Sequence, residues 1–176
     1  MLTAKLPANL TVSNTKSFYL LFIKHISTHF LTYMLFFLAF FLFKQNYTIG
    51  INNDHSLPNK VYLIHYGEKT GPNDIVVFKH FTKLLNKDVT LTKIYTGLPG
   101  DKITIKDSEV FVGSTYVGHT KPKTRLGKTL TPIQETIIPS GKFFARATHK
   151  DSFDSRYQEF GLVDESSIIG KARAIF

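Results

Sequence analysis

The sequence predicts a mainly β protein, with one N-terminal transmembrane helix followed by a compact β-rich domain. Three observations carry this expectation. Residues 1–44 hold 8 of the 16 phenylalanines and four lysines (Lys5, Lys16, Lys24, Lys44) with no acid, whereas residues 45–176 hold 18 basic and 13 acidic groups. Beyond Lys44 the pattern changes to short apolar or alternating runs parted by Gly, Pro, Asn and Asp, which is how strands and turns are written. No later stretch sustains helical periodicity. A length of 176 residues suits one compact domain, and the net charge of +9 is distributed unevenly along it. The chain has no cysteine, which excludes a disulfide scaffold, a thiolate metal site, an iron–sulfur cluster and a cysteine nucleophile.

The first element is the anchor. From Ile26 to Phe43 runs ISTHFLTYMLFFLAFFLF, eighteen residues without a formal charge, bracketed by Lys24 and Lys44. At about 1.5 Å per residue the run spans roughly 27 Å, close to a hydrocarbon core of about 30 Å. It is apolar all round, and about 130 remaining residues are too few to wrap such a helix as a buried core. No small-x-small cleavage site follows it, so the segment is expected to stay as an anchor. Lys5, Lys16 and Lys24 precede it and only Lys44 lies immediately after, so the positive-inside rule puts residues 1–25 in the cytoplasm and residues 45–176 outside it. His25 and His29 sit four apart near the start of the run, a spacing that can share a metal. Without a third ligand they read as amphipathic residues at headgroup level.

The strands follow in order: Val61–Tyr66, Ile75–Phe78, Thr90–Tyr95, Lys102–Lys106, Glu109–Val112, Lys142–Thr148 and Ile168–Ile175. Lys102-Ile103-Thr104-Ile105-Lys106 alternates polar and apolar side chains, as a half-buried strand does. Phe81–Leu85 is expected to form a short helical turn. Leu98-Pro99-Gly100-Asp101 has the composition of a type II turn, with Pro fixing φ at the second position and Gly accepting positive φ at the third. Lys121–Lys128 (KPKTRLGK) places four cations in eight residues and reads as an exposed loop. It lacks the interleaved aromatics that stack single-stranded bases, so no nucleic-acid partner is expected, whereas contact with lipid headgroups is compatible with it.

Three segments stand out from this background: DHSLPNKVYLI around Ser56, TKIYTGLPGD around Lys93, and DSFDSRYQEFG around Asp154. In this order they resemble the conserved boxes of the type I signal peptidase family, serine proteases with a Ser/Lys dyad, and most nearly its small conjugative-transfer (TraF-type) branch. Ser56-Leu57-Pro58 is similar to the Ser-Met-Pro nucleophile box. Asp74-Ile75-Val76 resembles the strand that follows it, Lys93 with Gly97-x-Pro99-Gly100-Asp101 the lysine box, Ser152-x-Asp154-Ser155-Arg156-Tyr157 the last box, and Gly170-Lys171-Ala172 the closing strand. The resemblance implies a signal-peptidase-like fold for residues 45–176, with Ser56 as nucleophile and Lys93 as general base. It also implies that Ser152 hydrogen-bonds the lysine amine and that Asp154 and Arg156 pair to hold the site, with neither cofactor nor metal. Where family members carry a second oxyanion hydroxyl, two residues before the nucleophile, this chain has Asp54.

Read without that resemblance, the residues give a partial picture. Ser56 lies a dozen residues beyond the apolar run, suited to a peptide bond emerging close to a bilayer. His55 is a poor base for Ser56, because neighbours on an extended chain point to opposite faces. Strand alternation puts Lys93 on one face with Leu91 and Tyr95. A lysine near pKa 10.4 is neutral in about 0.04% of molecules at pH 7, so a lysine base needs a drop of roughly 3, about 4 kcal/mol, which burial among apolar groups supplies. Asp154 and Arg156 share one face of an extended segment, which supports an ion pair only weakly.

The function expected is therefore a membrane-anchored serine endopeptidase that cleaves N-terminal signal segments from exported precursors at the outer face of a bacterial plasma membrane. Its partners would be the bilayer and a membrane-bound precursor; the short outer domain and the box Ser-Phe-Asp-Ser-Arg-Tyr point to pilin-type precursors in conjugative transfer. Two alternatives stay open: a general housekeeping signal peptidase, and a non-catalytic anchored protein that binds precursors or assembly partners.

Overall fold

A computed structural model describes residues 10–53, 55–84 and 86–176, with side chains described from residue 16 onward. It divides into two units, residues 1–45 and 46–176.

The N-terminal unit departs from the single helix expected over residues 26–43. Helix α1 (Leu10–Thr28) and helix α2 (Phe30–Asn46) meet at His29 and are bent by 65°. The main-chain ladder crosses the bend, with His29 N–H donating to His25 O and Tyr33 N–H to His29 O, each at 3.0 Å. The bend has a local cause. Ser27 Oγ and Thr28 Oγ1 both donate back to the Lys24 carbonyl, at 3.0 and 2.8 Å, and such back-bonding opens the outer side of a helical turn. Among the described residues no single helix is long and apolar enough to cross a membrane; the bent pair Lys16–Thr28 and Phe30–Asn46 reaches that length and apolar composition only when its two helices are taken together. Helix α2 buries none of its residues. The His25 and His29 rings lie 4.6 Å apart, and His25 Nε2 meets the Tyr33 hydroxyl at 3.0 Å.

The second unit is built from two antiparallel sheets. The larger runs, in spatial order, β1 (Tyr47–Ile51), β2 (Val61–Tyr66), β11 (Ile168–Ala174), β3 (Ile75–Thr82), β4 (Lys87–Gly97), β9 (Lys142–Arg146) and β10 (Val163–Asp164). The smaller runs β7 (Thr115–His119), β6 (Glu109–Val112), β5 (Lys102–Lys106) and β8 (Thr136–Ile137). Strand β11 inserts between β2 and β3, so the end of the described chain sits inside the sheet. Of the helical turn expected at Phe81–Leu85, Leu85 lies outside the described residues, and Phe81–Leu84 form no helix. Phe81 and Thr82 extend β3, because β4 starts early enough to pair Thr82 with Lys87, and Lys83 and Leu84 make the turn between them.

Three apolar clusters fill the unit. Phe78, Tyr95, Phe143 and Phe160 pack over β3, β4 and β9, with Tyr95 and Phe143 stacked 4.4 Å apart. Ile103, Val112, Ile138 and Phe144 join the smaller sheet to β9, and Leu57, Tyr62, Ile64 and Ala172 pack around β2 and β11. Gly97 lies where β4 reaches the second cluster. A Cβ there would meet Ile138 Cδ1 at 2.6 Å, Val112 Cγ1 at 2.7 Å and Phe144 Cβ at 2.9 Å, so only glycine lets the layers close. The next turn has type II character: Gly100 has φ 94° and Asp101 N–H donates to Leu98 O at 3.0 Å.

Candidate active site

Strand β4 alternates, so Lys93, Tyr95 and Gly97 are buried on one face while Ile94 and Thr96 are only partly covered. Lys93 pairs across to Val76 on β3 and is 2% exposed, in company with Leu91 and Val89 on the same face. Ser56 reaches the same place from the bend between β1 and β2 and is 4% exposed. Both side chains line one cavity of about 380 Å³, whose wall also includes Thr82, Leu91, Ser152 and Phe160.

The Ser56 bend is tied down from the far side of the sequence. Its carbonyl accepts the Thr148 N–H at 2.9 Å, the Thr148 hydroxyl at 3.1 Å and the His149 N–H at 3.3 Å. The chain leaves β9 at this point and turns, with Ser152 N–H donating to His149 O at 3.1 Å and Asp151 N–H to His149 Nδ1 at 3.2 Å. This turn carries Ser152 to the cavity wall. His55 and Ser56 lie in a bend rather than an extended strand, so His55 also borders the cavity, although it is exposed. Asp54 lies outside the described residues.

Asp154 and Arg156 are set behind the cavity wall and close upon each other. Arg156 donates through Nε to Asp154 Oδ1 at 2.8 Å and through Nη2 to Oδ2 at 3.0 Å. Asp154 also accepts the main-chain N–H of Arg156 at 3.1 Å and of Ala147 at 2.9 Å. The remaining Arg156 protons go to the carbonyls of His119 (2.9 Å), Ser152 (3.0 Å) and Lys150 (3.4 Å). One guanidinium thus links the strand end at Ala147, the Lys150–Ser152 turn and β7 of the other sheet. Burial works against its charge, but Asp154 outweighs this and holds the guanidinium even more firmly protonated than usual. Gly118 makes room for it: φ is 126° and a Cβ would stand 2.7 Å from Arg156 Nη1. Next to it, Ser155 Oγ accepts the Ala145 N–H at 3.0 Å.

Sequence reading missed much of the wall. Thr82, Val89, Arg125, His149, Asp151 and Phe160 also line the cavity, and they come from the β3–β4 hairpin, the cationic loop, the turn after β9 and the segment that follows that turn. Among the described residues, no group of three or more His, Asp or Glu side chains is arranged to hold a metal ion.

A β-rich domain holding a buried serine and a buried lysine on one cavity is the class that fold and site define. Residues 22–176 match the family described as signal peptidase, peptidase S26, and the chain belongs to that family. Among curated proteins it is similar to signal peptidase I U of Bacillus subtilis (strain 168), 32% identical over 94 residues, which are 49% of this chain and 50% of that protein. It is also similar to signal peptidase IB of Staphylococcus aureus, 30% identical over 125 residues, 60% of this chain and 61% of the relative. The matches thus span about half to three-fifths of the length of these relatives. Among solved structures, a signal peptidase I from Enterococcus faecalis V583 aligns over 59% of this chain and 97% of its own, at 22% identity and a TM-score of 0.36.

Proposed function

We propose that the chain is a membrane-anchored serine endopeptidase in which Ser56 attacks the scissile carbonyl and Lys93 is the general base. The observation that carries this reading is the shared cavity of two nearly solvent-free side chains that lie far apart in sequence, Ser56 and Lys93. Lys93 is 2% exposed, the kind of buried setting in which a lysine base operates. Neutral Lys93 takes the Ser56 hydroxyl proton as Oγ bonds to the carbonyl carbon, then returns it to the departing amine; water hydrolyses the acyl-enzyme. The Ser56 main-chain N–H is the first oxyanion donor in this scheme. Ser152, on the same wall, is assigned to orienting the lysine amine, and Asp154 with Arg156 to holding the wall.

The substrate is an exported precursor with small residues before the cut. The bent helix pair serves as the anchor in this reading, with residues 1–25 cytoplasmic and residues 45–176 outside the plasma membrane. The box from Ser152 to Tyr157 favours pilin-type precursors in conjugative transfer. The relatives, named as signal peptidases I, favour the broader housekeeping alternative. The test is intact-mass analysis of co-expressed precursors, comparing the wild-type chain with Ser56→Ala in the same membranes. Loss of a defined N-terminal fragment only with wild type is the expected result. Cleavage of a pilin-type precursor alone selects the first substrate class, and cleavage across generic Ala-x-Ala precursors selects the second. No serine-dependent cleavage of either overturns the enzyme and leaves a binding protein.

A further inference from the structure

A second cavity, of about 690 Å³, adjoins the first and shares Arg125, Asp151, Ser152 and Phe153 with it. Its rim is cationic, formed by Lys121, Lys123, Arg125 and Lys128 against the single carboxylate of Asp151. Apolar side chains line the rest, notably Leu84, Leu130 and Phe153.

The donors are unevenly committed. Lys121 and Arg125 both reach Asp151, the latter through Nη2 at 3.3 Å, and Lys128 Nζ donates to Leu84 O at 3.0 Å. Arg125 uses no other nitrogen among the described residues, and Lys123 Nζ has neither a hydrogen bond nor an ion pair there. One carboxylate thus faces four cations, in a recess whose walls limit screening by water. The loop is not merely splayed into solvent. Thr124 N–H donates to Lys128 O at 2.8 Å, Lys128 N–H to Thr124 Oγ1 at 3.1 Å, and Leu130 N–H to Pro122 O at 2.9 Å, so the cations are held in a closed hairpin.

We propose that this second cavity is a substrate subsite that takes an acidic side chain, flanked by an apolar one, from the peptide segment next to the scissile bond. The proposal rests on the first cavity being the site of cleavage. A peptide laid across the first cavity enters the second over the shared Ser152–Phe153 edge, placing a carboxylate within reach of Lys123 and the free edge of Arg125. Leu84, Leu130 and Phe153 then cover its apolar neighbour.

The test uses the full chain in detergent with Ser56→Ala, so that binding is read without turnover. Labelled peptides carry a small-x-small cut and a single Glu at each of the five positions on either side, each matched with Gln. Fluorescence anisotropy is expected to find one position, or two adjacent ones, where Glu binds roughly fivefold tighter than Gln, a preference that fades as salt screens it. Lys123→Gln with Arg125→Gln should erase the preference, and Lys123→Glu should turn it toward a Lys-bearing peptide. Equal binding of Glu and Gln at every position overturns the proposal, as does a preference that survives the double change. Binding of anionic phospholipid vesicles through the same two residues, with no Glu preference, overturns it in favour of a lipid site. Turnover by the unmutated chain is scored separately. If it cleaves none of the peptides while the Glu preference holds, the peptidase reading fails and the acidic peptide site stands.

Discussion

Arg156 and Asp154 form a two-point ion pair, Nε to Oδ1 and Nη2 to Oδ2, in which neither residue is more than 1% exposed. Each charge is out of water and tolerable only beside the other. Asp154→Ala strands a buried guanidinium and should cost about 3–5 kcal/mol in urea denaturation of the full chain. Arg156→Lys keeps the charge but loses the fork that reaches His119, Ser152 and Asp154 together, and should cost about 1–3 kcal/mol. A Asp154→Ala chain within 1 kcal/mol of wild type would show that the pair does not brace the wall.

Lys93 is the general base of the proposed mechanism. Lys93→Met keeps a similar volume but removes the amine that the proposed mechanism uses, so precursor cleavage should fall by about a thousandfold or more in a chain that still folds. Cleavage retained within tenfold of wild type would remove Lys93 from the mechanism.

Glu68 sets a pH limit outside the cavity. Bonds from Arg173, aided by His65, outweigh burial and pull its carboxyl down to about 2. Lys171 stands nearby, and Arg173 Nη1 donates to Glu68 Oε2 at 2.7 Å. A folded pKa below the unfolded one stabilises at all pH values above the unfolded value near 4.3, and that stabilisation is lost as pH falls toward 2. Melting temperatures of wild type and Glu68→Gln should therefore differ at pH 6 and converge between pH 4.5 and 2. A constant offset across that window would disprove the linkage.

Gly97→Ala should cost about 1–3 kcal/mol, because Phe144 Cβ belongs to a main-chain-anchored position that cannot swing aside. Adding Ile138→Val removes the Cδ1 that the new methyl meets, and should recover part of the loss in the same denaturation assay. No recovery would mean that the backbone of β4, rather than the side-chain layer, resists the change.

Strands β2, β5 and β6 have the bounds that the sequence predicts, and β3, β4, β9 and β11 form where strands are expected but with shifted ends. Strands β1, β7, β8 and β10 lie at the sheets' outer edges, and β8 and β10 are two residues long. Their pairing is imposed by a neighbour, so local pattern carries little of it. Phe81–Leu85 misled because its apolar content resembles a helical turn, while the register of β4 decides the outcome. In the N-terminal unit, hydropathy located the apolar run but could not register two hydroxyls bonding back to Lys24. Ser56 and Lys93 stood out through the boxes around them. Arg125 and Asp151 did not, since no spacing announces that the cationic loop folds against the turn after β9.

The position of β11 has a consequence for biosynthesis. Strands β2 and β3, which flank the segments bearing Ser56 and Lys93, are not neighbours; residues 168–174 join them. Those residues leave the ribosome long after Lys93 does. A nascent chain therefore has Ser56 and Lys93 made but no continuous sheet to bring them together, so the proposed dyad assembles only after residues 168–174 have emerged.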